Sequence, residues 1–441
     1  MINNRRALLI SCILILITCS GCAGGSRITN AMVAKIYAGE KEKVKEYPLI
    51  FVPGIFGTVL EDKDTGKVIW GRVAEGLIAQ LSLPIDNEKI SENKDNVVPM
   101  KTLMKFSFIP GILEKGIYEN TRDIAVNAAG YKVNKTVFSL SYDWRRDLVE
   151  AAQRLGELID NIKKDSKDPD LKVDIVCHSA GGLVSRYYAK YGTVDVLDQD
   201  PLPPPTYAGA KNINKIIMLG TPNRGSLESF KCINNGLSIP GIGHATKAIT
   251  FTMPSSFELM PFEGDTTFID YQGNDLPVNL YDPANWEKYN WSVFADRGKY
   301  TDQEKDAQRK FLKNVLKRAS AFQKALNQGD PREERKRVYY IVLGSDANDT
   351  LEKAVLQKTQ SGWKTRFDPH DDTIHDKAFA PGDNTVTRRS LLGRYESNGQ
   401  TQELPSAYEI FFAQYHVDLA SDPTFMDNVL HSLLDRTYDR D

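Results

Sequence analysis

The chain has 441 residues, with 56 basic against 58 acidic side chains and an apolar share of 41%. A disordered chain would hold less apolar content and a larger charge imbalance, and a nucleic-acid binder would carry a basic surplus, so both classes are excluded. Five cysteines, three of them within the first 22 positions, leave no disulfide framework.

Residues 1–21 open with Arg5 and Arg6, contain no acid and run through an apolar stretch to Ile17. That is the layout of a secretory signal, too short to span a bilayer. Gly21 before Cys22 resembles a bacterial lipoprotein cleavage site, although Cys19 stands where Leu is usual. Cys22 is therefore the expected lipidated N-terminus, with plain signal cleavage as the simpler alternative. No later stretch reads as a transmembrane helix, so acyl chains on Cys22 would be the membrane anchor. Residues 22–45 read as a polar tether.

Residues 48–52 form a short unbroken apolar run, as expected of a strand buried on both faces. Leu113, Ile117, Ile124, Ala125 and Ala128 recur at helical spacing, with Gly130 as the stop. Residues 136–140 read as a second strand. Leu148, Ala151, Leu155, Leu158, Ile159 and Ile162 make one face of an amphipathic helix. Residues 173–176 and 215–219 read as further strands, and the alternation predicts a mostly parallel sheet flanked by helices.

The alternation breaks over 226–335, a loop-rich insertion. It closes with a long helix opened by a Thr301–Glu304 capping box and striped by Phe311, Val315, Phe322 and Leu326, with Gly329 and Pro331 as its stop. Residues 338–343 and 409–412 restore the strand pattern, and 423–434 read as a final helix. The expected organisation is one α/β core, 46–225 and 336–441, interrupted by a cap at 226–335.

Cys177-His178-Ser179-Ala180-Gly181-Gly182 follows the third strand and precedes a helical stretch. Small neighbours around a Ser at a strand-to-helix turn are the pattern of a nucleophile elbow. A serine hydroxyl needs a His to take its proton and a carboxylate to orient that His. His178 adjoins Ser179 in the chain and is expected to pack under the elbow. His244 lies in the insertion, and His431 is expected at the surface. His416 follows the last strand and is placed as the base. Asp383, in the turn 382–386, and Asp346, after the strand 338–343, both remain open as the acid. Asp371, Asp372 and Asp376 cluster with His370 and His375, but the lack of a helical i, i+4 pair favours a solvated loop over a metal site.

With these pieces placed, the chain resembles the lecithin:cholesterol acyltransferase family of α/β-hydrolases, in a bacterial version. The resemblance spans about 48–430. It rests on Val52-Pro53-Gly54-Ile55-Phe56-Gly57-Thr58-Val59-Leu60-Glu61, Tyr142-Asp143-Trp144-Arg145, His178-Ser179-Ala180-Gly181, Leu219-Gly220-Thr221-Pro222 with Gly225, Gly382-Asp383 with Thr385-Val386, and His416. It implies an α/β-hydrolase fold with a large cap, Ser179 as nucleophile, Asp383 rather than Asp346 as acid, and His416 as base. It also implies an oxyanion hole from the Phe56 and Ala180 amides. Tyr142–Arg145 is kept as a structural corner.

Segments near Trp70–Leu83 and 226–335 are expected to meet lipid. Trp70, Val73, Leu77 and Leu81 would form an apolar face, and Trp286, Tyr289 and Trp291 a groove wall; core packing explains either set equally well. The departures from the family pattern are Cys177 and the lack of a disulfide-held lid. The implied activity is a lipid or phospholipid ester hydrolase or acyltransferase without metal or organic cofactor. The expected place is the bacterial cell envelope. The rival is a non-catalytic envelope lipoprotein on an idle hydrolase fold.

Overall fold

The structure is a computed structural model and describes residues 28–43, 45–71, 78–102, 105–109, 113–116, 118–239, 243–369, 372–397 and 399–434. The expected signal segment and Cys22 lie outside these residues, as do Val73 and Leu77. Six strands build the central sheet: β1 (Leu49–Val52), β2 (Val137–Ser139), β3 (Val173–His178), β4 (Ile213–Leu219), β5 (Tyr340–Gly344) and β6 (Ser406–Phe411). They lie in the order β2-β1-β3-β4-β5-β6, and every pair is parallel.

The strands β1, β3, β4 and β5 are mostly apolar because both faces are covered, whereas the edge strand β6 leaves Tyr408 and Glu409 exposed. Ile50, Val52, Ile175, Cys177, Ile216 and Met218 point to one face. There they meet α3 (Leu148–Ser166) and α4 (Ala180–Tyr191). Leu49, Phe51, Val176, Ile217 and Leu219 point to the other. That face is covered by α1 (Asn30–Ile36), α2 (Glu119–Asn127) and α6 (Pro423–Leu434). In register, Val52 stands beside Cys177, His178 beside Leu219, and Leu219 beside Leu343. The loops after β1, β3, β4 and β5 therefore leave the sheet together at its carboxyl edge, the usual place for a site in such a fold.

One predicted helix begins late. Leu113–Gly116 is a strand, paired antiparallel with Lys105–Ile109, and α2 starts only at Glu119. The competing signal is the Phe106/Phe108 alternation before Pro110-Gly111, a hairpin pattern that supplies these residues with backbone partners. Ile117 lies outside the described residues.

Between β4 and β5 the chain leaves the sheet and folds largely into helices; a short helix, Pro331–Arg337, leads into β5 after the long α5 (Asp302–Asn327). The Thr301–Glu304 capping box is present at its start. Phe311, Leu312, Val315 and Leu316 of α5 are buried in a second apolar cluster with Phe230, Phe257 and Phe268. That cluster also takes in Leu351, Leu356 and Phe367 from beyond β5. Trp286 and Trp291 are fully buried within it and Tyr289 nearly so, with Trp291 stacked on Phe268 at 5.0 Å. These aromatics are core, not groove wall. Trp70 and Leu81 are likewise buried in the main core.

Candidate active site

β3 ends at His178, and α4 begins one residue past Ser179. The serine between them takes φ 53°, ψ −126°, a sparsely populated conformation for a residue with a side chain. Tight packing on every side over-determines it. The Ser179 N–H donates to Leu219 O at 2.8 Å, and Gly182 N–H to Ser179 O at 3.0 Å. A Cβ at Gly181 would lie 2.3 Å from Val52 O, and one at Gly182 2.0 Å from Thr221 Oγ1. A Cβ at Gly54 would lie 2.8 Å from that of Ser179, so the loop after β1 passes directly against the serine. Cys177, where the elbow pattern has Gly, is buried and donates its S–H to Ile217 O at 3.4 Å. Burial pushes its thiol up to about 12, so it packs as a neutral group.

Ser179, His416 and Asp383 come together across 237 residues of chain. Ser179 Oγ stands 3.0 Å from His416 Nε2, and His416 Nδ1 stands 2.8 Å from Asp383 Oδ2. The other carboxylate oxygen of Asp383 accepts the Thr385 and Val386 N–H groups at 3.0 and 2.7 Å. With Oδ2 accepting Nδ1–H, Nε2 is left bare to accept the serine hydroxyl. The His416 N–H also donates to Asp383 O at 2.9 Å, fastening backbone as well as ring. Asp346 is turned to Arg388 at 3.0 Å, part-exposed, and makes no bond to His416.

The loop after β1 carries Phe56 at φ 68°. Its carbonyl accepts Trp70 Nε1–H at 2.9 Å, and its ring sits 4.5 Å from that of Trp144 and 5.0 Å from that of Trp70. Trp144 Nε1–H donates to Thr58 O at 3.2 Å, and Tyr142 Oη to Pro53 O at 2.8 Å. Arg145 is fully buried between Asp143 and Asp95. The 142–145 corner thus clamps the loop that carries Phe56, a task that its position in the sequence did not reveal.

Two more residues touch the site. His178 Nδ1 is 2.9 Å from Tyr118 Oη, and His178 Nε2 is 3.2 Å from His416 O. Burial, then the adjacent His416, pushes the His178 pKa down to about 3, so the ring is neutral. Tyr118 carries no sequence signal beyond being an aromatic near a helix start.

His244 is exposed and bonds Ser238, and His431 is exposed. His375 stacks on Phe379. His370 and Asp371 lie outside the described residues. Among the described residues no group of three or more His, Cys, Asp or Glu gathers as a metal site, and no helix is long and apolar enough to cross a membrane.

Among solved structures the chain is similar to the crystal structure of a Tle4–Tli4 complex, at 14% identity and a TM-score of 0.53, over 88% of this chain and 99% of that one. It also matches phospholipase PlaB from Legionella pneumophila, at 11% identity and 0.38, over 89% and 60% of the two chains. The mature form of Bacillus licheniformis lipase BlEst2 matches at 12% and 0.34, over 89% and 93%. At 14% identity the first likeness is one of fold alone. No curated protein sequence matches. The profile described as lecithin:cholesterol acyltransferase matches residues 108–366, more than half of the chain and including Ser179, while Asp383 and His416 follow its end. With an all-parallel sheet, a strained Ser elbow and that match, the chain belongs to the lecithin:cholesterol acyltransferase family of lipid esterases and acyltransferases, on an α/β-hydrolase fold.

Proposed function

We propose that this chain is a serine-dependent lipid ester hydrolase or O-acyltransferase that works through an acyl-enzyme on Ser179. His416 Nε2 takes the hydroxyl proton as Ser179 Oγ attacks the ester carbonyl, and Asp383 holds the Nδ1–H tautomer and steadies the imidazolium. Collapse of the tetrahedral intermediate breaks the ester bond, and His416 returns the proton to the departing alcohol. Water or an acceptor alcohol then attacks the acyl-enzyme, with His416 again as base. Neither step calls for a metal or organic cofactor.

The Phe56 and Ala180 amides are proposed as the oxyanion donors. The loop carrying Phe56 lies against Ser179, and Ala180 opens α4, whose positive end faces the reacting carbon. Such a donor is worth roughly 10²–10³ in rate. Cys22 is proposed as the lipid anchor of an exported, bacterial envelope protein, and 226–335 as the cap over the acyl site.

The observation that carries this reading is the Ser179–His416–Asp383 chain at 3.0 and 2.8 Å, with the second Asp383 oxygen held by two amides. A fluorophosphonate probe tests it. Wild type should label, and Ser179→Ala should not. Asp383→Asn should lower kcat by about 10⁴-fold, whereas Asp346→Asn should leave it near wild type. Absence of labelling would favour the idle-fold lipoprotein instead. A labelled phospholipid, incubated with and without an alcohol, then separates the branches. Free fatty acid alone marks a hydrolase, and a new ester marks a transferase.

A further inference from the structure

We propose that Tyr118 and His178 form a positioning relay that ties the loop carrying Phe56 to the loop carrying His416. The inference rests on the assignment of Ser179 and His416 above. The direction of every bond in the relay is determined. Gly54 N–H donates to Tyr118 Oη at 3.1 Å, and Tyr118 O–H donates to His178 Nδ1 at 2.9 Å because the other ring nitrogen faces His416 O, which can only accept. Nδ1 must then be bare, which places the His178 proton on Nε2, where it donates to His416 O at 3.2 Å. One neutral tautomer satisfies all three links.

His416 is thereby held at both ends of its own peptide: its N–H by Asp383 O and its C=O by His178. Gly54, at the other end of the relay, sits two residues before Phe56 and against the Cβ of Ser179. Both the oxyanion loop and the base loop are therefore referenced to one buried pair of rings. Water is a poor substitute for either ring. The cavity beside them, lined by Pro53, Thr102, Cys177 and Phe425, measures about 10 Å³, room for one water at most. The rings of His178 and His416 lie 4.9 Å apart. A neutral His178 therefore spares the imidazolium formed on His416 a like charge at its side.

The test compares Tyr118→Phe, His178→Phe and the double variant on a soluble ester, with kcat counted per Ser179 labelled by fluorophosphonate. Counting per labelled site removes misfolded protein from the comparison. Each single change should lower kcat about ten- to a hundredfold, with KM moving less than about threefold. The double variant should be no slower than the worse single one, because either break opens the same relay. Single variants with wild-type kcat, or a double variant whose losses multiply, would overturn the relay. If His178→Phe does not fold, Tyr118→Phe, which deletes one oxygen, decides alone by the same kcat and KM criteria. Failure of the wild type to label would count against the Ser179 assignment and leave the relay without an object, a result separable from all of these.

Discussion

Ser179 keeps its left-handed backbone because its surroundings leave no room for another. Gly181 illustrates the margin: its missing Cβ is replaced by Val52 O, a backbone atom that cannot swing aside. Gly181→Ala should therefore cost about 3 kcal/mol, the upper end for overpacking, readable as a lower urea midpoint at unchanged slope. His178 makes a second residue-scale prediction. Its folded pKa of about 3 lies below the ordinary 6.5, so between these values the unfolded chain binds a proton that the folded one refuses. Above pH 6.5 the ring is neutral in both states and costs nothing. As pH falls from 6.5 toward 3, its contribution is lost at up to about 1.4 kcal/mol per unit. The groups around it are Tyr118, His416 and Asp383. In urea melts from pH 7 to pH 4, His178→Phe should show a shallower fall in stability than wild type; parallel slopes would refute the assignment.

At the scale of elements, α4 and α5 are bound by polar groups in a buried interface. Side chains of α4 satisfy the terminal carbonyls of α5: Arg186 and Lys190 donate to Leu326 O at 2.8 and 2.7 Å, and Tyr191 Oη to Ala325 O at 3.1 Å. These are the carbonyls that a helix end leaves without internal partners. Further along α5, Arg318 pairs with Asp147, the N-cap of α3, and with Asp195 at 2.7 Å. Asp147 is fully buried, so Arg318→Ala strands a charge and should cost about 3–5 kcal/mol in chemical denaturation. The six strands of the sheet and α3, α5 and α6 were legible from the sequence, because continuous apolar runs and 3.6-residue stripes are local signals. That Ser179, Asp383 and His416 meet within hydrogen-bond distance follows the positions that the family resemblance had singled out. Leu113 misled because a stripe cannot reveal that a hairpin partner has claimed the backbone. Trp286 and Trp291 were ambiguous, since an aromatic pair reads alike whether it lines a groove or fills a core. Tyr118 and the clamp role of Tyr142 stayed hidden because they act on chain 64 and 89 residues away.

For the whole molecule, the described fold begins with α1, which buries Val33, and its C-cap Tyr37, which is buried too and donates from Oη to Asp427 O at 2.9 Å. Removing residues 1–27 should therefore shift Tm by less than about 2 °C. Turnover of a soluble ester should stay unchanged, and the proposed Cys22 anchor predicts that the truncated protein moves from the membrane to the soluble fraction. A large fall in Tm would show that the first 27 residues belong to the fold. The return of the chain from β4 to β5 has one more consequence. Leu219 and Leu343 are neighbours in the sheet, yet the whole helical excursion is synthesised between them. Ser179 precedes that excursion, and Asp383 and His416 follow it. A polypeptide made only as far as the excursion thus holds the proposed nucleophile without the proposed base or acid. The proposed reactive centre carries its own delay: it cannot assemble until the segments bearing Asp383 and His416, beyond the whole excursion, have been added.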